Sequence, residues 1–281
     1  MLIHRAKQEG PIVLLLAGMH GDEINGIEIV RRMIRHGYHR PQCGTIICVP
    51  IANTFGFINQ SRTVPDGRDL NRTFPGSAQG SLASRLAYTL LHEIIKPVDY
   101  ILDFHTGGAS RSNHPQVRVA PADERSMALA RVFDAPFILA SSYLDKSLRK
   151  TARNYNKVML LYEGGESLRL DVSVVQAGLD GALRVLHYLG MRNESAPSSQ
   201  LPILLKKSTW VRAKTSGLFR ATVDNGTFVK KNSALGIVAD PYGESERIVK
   251  APADGYVICI NHHPLVHQGE ALIHLGLPGV A

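Results

Sequence analysis

With 281 residues, 44% of them hydrophobic and 20% charged, the chain can bury a full core and is too apolar to be disordered or fibrous. Its net charge of +8 raises nucleic acid as a partner, but the Lys and Arg residues are scattered with few aromatics between them to stack on bases. Attraction of small anionic substrates is the better reading, with no nucleic-acid partner.

Residues 12–16 are five consecutive branched apolar residues, which read as a strand covered on both faces. The run ends in Gly-Met-His-Gly-Asp-Glu, and residues 23–36 then carry Ile24, Ile27, Val30, Met33 and Ile34 at helical spacing. The polar residues therefore fall at a strand's C-terminal end, where open α/β sheets bind ligands, and Gly18 and Gly21 permit a turn that aims His20 and Glu23 to one side. An imidazole and a carboxylate three residues apart can share a cation. Glu23 would equally suit a first helical turn, where the helix dipole favours an acid without any metal.

Residues 44–50 read as a second strand, and residues 53–76 as a long loop rich in Gly, Pro and Asn. Its Leu and Phe residues point to an ordered, functional loop. Residues 81–95 form an amphipathic helix stopped by Pro97. Another buried strand, 98–104, ends in His105-Thr106-Gly107-Gly108, which repeats the pattern of strand, histidine, small residues. There follow a short strand at 116–120, a helix at 123–133, a short strand at 137–140, a helix at 148–154 and a strand at 157–162 that runs into Glu163-Gly164-Gly165-Glu166. A long helix at 172–189 closes a first domain, residues 1–192.

Residues 193–204 have linker composition, and beyond them helical periodicity vanishes. In 205–281 two similar halves start at Gly217 and Gly255, the mark of a small all-β barrel or sandwich. The three cysteines, Cys43, Cys48 and Cys259, form no C-x-x-C pair and fit reduced thiols. An apolar leader and a bilayer-length apolar run are both missing, so a cytoplasmic protein with no membrane partner is expected.

Separate strand ends thus deliver His20 with Glu23, then His105, then Glu163, to one sheet edge. Two histidines and one carboxylate suit zinc and leave a fourth position open, as a catalytic site requires. Glu163 is the candidate base for a water acidified there, with Glu166 a rival that lies farther from the strand end. Asp103 orients a histidine if strand alternation turns it toward the site. Asp69 reads as a loop brace, and His114, His262 and His263 as surface or turn histidines.

Four motifs in order over residues 10–190 resemble the succinylglutamate desuccinylase and aspartoacylase family, relatives of zinc carboxypeptidases. They are G-x-H-G-D-E from Gly18, D-L-N-R-x-F-P-G from Asp69, D-F-H-T-G from Asp103 and Y-E-G-G from Tyr162. The resemblance implies an α/β, zinc-carboxypeptidase-like, doubly wound mixed sheet, one zinc per chain on His20, Glu23 and His105, and Glu163 as general base. It further implies that Asn71 and Arg72 hold a substrate carboxylate or acyl oxygen, and that Arg153, ten residues before Glu163, is a second carboxylate-binding arginine. An arginine upstream of Asn71 should polarise the scissile carbonyl. Arg62 and Arg68 both qualify, and Arg62 is favoured because Arg68 stands where the family usually has an apolar residue.

The C-terminal part is similar to the biotinyl or lipoyl-type barrels of some desuccinylase relatives, but residues 239–244 offer no Lys at the connecting tip, so no modification is expected. Tyr242 on that hairpin is placed within reach of substrate. The implied function is a zinc-dependent amide hydrolase acting on an N-acyl amino acid or related small amine, with a homo-oligomer left open. Two alternatives stand: a zinc carboxypeptidase for small peptides, which predicts an open cleft, and a non-catalytic binding protein on the same fold.

Overall fold

A computed structural model describes residues 1–198 and 201–279. The N-terminal part carries strands β1 (Leu2–Arg5), β2 (Gln8–Ala17), β3 (Cys43–Val49), β4 (Tyr100–Gly107), β5 (Arg111–Val119), β6 (Phe137–Ala140) and β7 (Val158–Glu166). They lie side by side in the order β1-β3-β2-β4-β7-β5-β6. The middle four run parallel, whereas β1 and β5 are antiparallel to β3 and β7. The mixed sheet expected from the sequence is therefore present.

The apolar run of β2 divides by alternation, as a strand with two buried faces must. Val13, Leu15 and Ala17 join the core beneath helices α1 (Ile24–Arg35), α4 (Glu124–Phe133) and α6 (Val172–Tyr188), which bury Ile29, Leu129 and Val185 among others. Leu14 and Leu16 enter the opposite core. There they meet α3 (Leu82–Thr89), α5 (Leu148–Asn154) and three residues of the long loop, Val64, Leu70 and Phe74. Burying those side chains orders the loop, which also holds α2 (Thr54–Ile58) and a single tight turn at Leu70–Arg72.

Three boundaries differ from the sequence reading. The helix expected over 81–95 is α3 followed by a wider turn at Leu90–Ile95, and Pro97 supplies no amide to continue it. Strand β5 starts at Arg111, five residues earlier than expected, because its register shifts between Asn113 and Gln116, across His114-Pro115, and the bulge hides the alternation. Strand β7 extends through Glu166, so Glu163 lies within a strand rather than beyond its end.

Beyond residue 200 come β8 (Ile203–Arg212), β9 (Gly217–Ala221), β10 (Phe228–Val229), β11 (Ala234–Ala239), β12 (Glu246–Lys250), β13 (Gly255–Asn261), β14 (Leu265–Val266) and β15 (Ala271–Pro278). The two halves read from the sequence are β9-β10-β11 and β13-β14-β15. Each middle strand pairs with the first strand of the other half, β10 with β13 and β14 with β9. A sandwich results, with Phe219, Leu235 and Val238 facing Val257, Leu272 and Leu275 across its core.

This sandwich is joined to the first part by backbone ladders. Ile203, inside the stretch read as linker, opens β8, which pairs with β6, while residues 199 and 200 lie outside the described residues. Strand β13 pairs with β5 through Cys259, Ile260 and Asn261. Strands β5, β6, β8, β15 and β13 therefore close into a ring that takes two strands from one part and three from the other. No helix among the described residues is long and apolar enough to cross a membrane.

Candidate functional site

The turn after β2 brings His20 and Glu23 to the C-terminal edge of the sheet, and β4 brings His105 beside them. Gly18 takes φ +62° at this turn, and a side chain on Gly21 would run into the backbone of α2. His20 Nδ1 lies 2.7 Å from Glu23 Oε1, and His105 Nδ1 lies 2.8 Å from Glu23 Oε2. All three side chains are buried, and one ligand atom from each falls within 4.8 Å of the others.

The outward ring nitrogens are also held. His20 Nε2 meets Asp69 Oδ1 at 3.1 Å, and His105 Nε2 meets Asp103 Oδ2 at 2.9 Å. Carboxylates in those positions fix the ring orientation and turn each Nδ1 inward. Burial disfavours the charged Glu23 carboxylate, but His20 and His105 outweigh it and hold its pKa well below the usual range. For His105, burial disfavours the protonated ring while Asp103 and Glu23 raise its pKa well above the ordinary value. Two imidazoles and a carboxylate, buried and aimed by further carboxylates, are a donor set that fits zinc.

Glu163 stands opposite His105 in the β4–β7 ladder, and its side chain faces the same cavity of about 450 Å³. Asn113 Nδ2 donates to Glu163 Oε2 at 2.8 Å, and Arg118 Nη1 lies 3.5 Å from Oε1. Glu166 points elsewhere, bonded to His262 at 2.8 Å and not lining the cavity.

Five arginines line the cavity: Arg62, Arg72, Arg111, Arg118 and Arg149. Arg62 binds Glu23 Oε1 at 3.0 Å and Asp69 Oδ2 at 2.9 Å. Arg72, Arg111 and Arg149 have no carboxylate partner among the described residues. Arg149 is buried and donates to Ser141 Oγ and the Ser142 carbonyl, while its Nη1 has no partner. Burial, and then the charge of Arg118, push the Arg149 pKa below its ordinary value, so an anion placed there would be strongly held.

Several candidates land differently from one another. Arg68 is exposed and pairs with Asp66 outside the cavity, so Arg62 is the upstream arginine that faces the His20, Glu23 and His105 cluster. Arg153 is also exposed and lines a neighbouring crevice with Asp123 and Lys157, whereas Arg149, one turn earlier on α5, borders both that crevice and the cavity. Asn71 lines the cavity, but its side-chain oxygen accepts from Leu148 N at 2.8 Å, which commits that atom to holding α5. Tyr242 is 87% exposed and does not reach the cavity, and the aromatic that does is Trp210 of β8, with Cys259 of β13 beside it.

Sequence reading did not single out Arg111, Asn113, Arg118, Arg149 or Trp210. Arg111, Asn113 and Arg149 do fall in the stretches 110–116 and 141–150, which the sequence marks as shaping the pocket, and Trp210 is the chain's one tryptophan.

The succinylglutamate desuccinylase/aspartoacylase catalytic domain profile matches residues 9–189. The chain is 28% identical to N-alpha-acetyl-L-2,4-diaminobutyric acid deacetylase of Halomonas elongata, in a match covering 94% of this chain and 81% of the relative. A crystal structure of a succinylglutamate desuccinylase/aspartoacylase from Rhodobacter sphaeroides superposes with a TM-score of 0.88 at 26% identity, over 99% of this chain and 88% of the other. The product-bound structure of the ectoine utilization protein EutE (DoeB) from Ruegeria pomeroyi has the same fold, with a TM-score of 0.88 at 23% identity over 97% of this chain and 87% of the other.

Proposed function

Because the chain belongs to the succinylglutamate desuccinylase/aspartoacylase family, we propose that it is a zinc-dependent deacylase on a zinc-carboxypeptidase-like core, hydrolysing the amide of an N-acyl amino acid. The observation that carries this is the buried His20, Glu23 and His105 cluster with Glu163 facing the same cavity. The deacetylase activity in the name of the Halomonas relative supports the substrate class.

Zinc on His20, Glu23 and His105 would supply a Lewis acid for the acyl oxygen and acidify a water. Glu163 takes the proton from the attacking water and returns it to the leaving nitrogen, so that the amine departs neutral. Arg62, fixed by Asp69 and directed at the cluster, stabilises charge that develops on the acyl oxygen. Arg72, at the exposed rim, and Arg149, deeper in, are free of acidic partners and hold substrate carboxylates.

The charge of the cavity narrows the substrate. Its five arginines face Asp22, Glu23, Asp103 and Glu163, and a divalent metal would leave it with excess positive charge. An N-acyl amino acid carrying a second acidic group neutralises that excess, whereas the cationic side chain of an acylated diamine does not. Trp210 and Cys259 wall the cavity on the side of the C-terminal part, which favours a small acylated amino acid over a peptide. A non-catalytic role has no use for a base held by its own hydrogen bond. We also place the protein in the cytoplasm, in keeping with its buried free thiols Cys48 and Cys259.

The test is amine release by the zinc-loaded protein from N-acetyl and N-succinyl amino acids, set against C-terminal trimming of short peptides. Deacylation with the acidic substrates ahead is expected. Peptide trimming without deacylation would select the carboxypeptidase alternative.

A further inference from the structure

The base Glu163 is gripped by a side chain with no part in the chemistry above. Asn113 is 5% exposed, and its amide donates to Glu163 Oε2 at 2.8 Å. A carboxamide NH2 group can only donate, so a carboxylate partner dictates which end of Asn113 faces Glu163. With Oε2 occupied in this way, Oε1 is the oxygen left to take a proton. Arg118 Nη1, 3.5 Å from Oε1, is too distant for a direct hydrogen bond and leaves that oxygen available.

Asn113 is itself held from both sides by backbone. Its strand, β5, pairs with β7 at Gly165, two residues beyond the base, and with β13 at Cys259. Nearby, Gln116 stands opposite Glu163 in the β5–β7 ladder and donates its side-chain amide to the Ile258 carbonyl of β13 at 3.2 Å. Asn225 of the C-terminal part donates to the Ser112 carbonyl at 2.9 Å, and His262 N donates to the Ser110 carbonyl at 2.8 Å. The segment that carries Asn113 is thus fastened to the C-terminal sandwich residue by residue, across the bulge where β5 would otherwise be least regular.

We infer that Asn113 is a positioning residue for the Glu163 carboxylate, and that the C-terminal strand Gly255–Asn261 contributes to catalysis by fixing the stretch of β5 that holds Asn113. This assignment rests on Glu163 being the base. Asn113 lines the cavity but spends its amide on Glu163, so its loss should slow the chemical step more than it weakens substrate binding.

The experiment compares kcat, KM and zinc content of the zinc-loaded wild-type chain with those of Asn113→Leu, Asn113→Gln and Glu163→Gln. Asn113→Leu, with the same branching but no donor, should lower kcat about 10- to 100-fold, with KM within about threefold and one zinc retained. Asn113→Gln keeps an amide donor and can extend into the adjoining cavity, so it should recover most of the loss. Should Asn113→Leu fail to fold, Asn113→Ala, which is smaller, uncharged and has no donor, carries the same comparison. Wild-type kcat in the donor-less variant, beside an inactive Glu163→Gln, overturns the role of Asn113 alone. A fully active Glu163→Gln instead removes the base on which it depends.

Discussion

Arg149 and Arg153 are four residues apart on one short helix, and only the first reaches the cavity. The first turn of α5 lies against Ser141 and Ser142, and one further turn, about 5.4 Å along the axis, carries Arg153 away from the cavity, along a crevice that Arg149 also borders. Spacing from Glu163 was therefore a poor guide, because it counts residues along the chain and not turns away from the sheet edge. Arg149→Ala should raise KM for a doubly acidic substrate roughly 10- to 100-fold, the loss of one buried charge-assisted hydrogen-bonding group, while Arg153→Ala stays within about twofold. Steady-state kinetics on both variants decides this, and equal effects would refute it. A second single-residue prediction concerns His274, which stacks on Trp210 at 4.3 Å and whose pKa burial pushes down to about 3. As pH falls below the ordinary 6.5, the unfolded chain gains a proton that the folded chain refuses, so stability present at neutral pH is lost on acidification. That loss is about 2 kcal/mol between pH 7 and pH 5, and His274→Phe should abolish it in denaturant titrations at the two pH values. Equal losses in wild type and variant would count against it. Legibility at this scale follows locality: His20 with Glu23, and Asp103 with His105, lie within one motif and could be read, whereas Arg118 and Trp210 sit on separate strands with no spacing to link them.

Helix α6 shows how an element can be plain in a sequence while its packing is not. Its apolar period marks residues 172–189 as a helix, and the structure has Val172–Tyr188. The period does not explain Gly178 and Gly181, which ordinarily cost a helix interior about 1 kcal/mol each relative to Ala. Coordinates supply the reason: a methyl group on Gly181 would lie 2.3 Å from the Phe133 ring of α4, and one on Gly178 would lie 2.4 Å from Ile29 of α1. These glycines let α6 close on both neighbouring helices. Gly181→Ala should therefore destabilise the chain by about 1–3 kcal/mol, against the usual helix preference, and lower the thermal midpoint by several degrees. A raised midpoint would show that the ring has room to move. Strand β5 is the converse case, since its N-terminal half was unreadable as strand until partners on both sides were visible. The bulge at His114-Pro115 breaks the alternation that would have announced it.

At the scale of the molecule, the sequence marks two compositional regions and the backbone unites them. Residues 193–204 look like a linker because they are polar and rich in Ser and Pro, but composition cannot report that Ile203 enters a ladder with β6. Nor can it report that β13 completes the pairing of β5. A ring of strands drawn from both regions should unfold as one unit, so calorimetry of the full chain is expected to show one transition. Two well-separated transitions would mean that the sandwich melts independently. The same union explains why the cavity has His20, Glu23, His105 and Glu163 on one side and Trp210 and Cys259 on the other. Its proposed work is tested most directly by amine release from an N-acyl dicarboxylic amino acid by Glu163→Gln carrying one zinc per chain. We predict that turnover falls at least 10²-fold while the metal stays bound. Turnover within a few-fold of wild type would contradict the assignment of Glu163 and the hydrolytic site built around it.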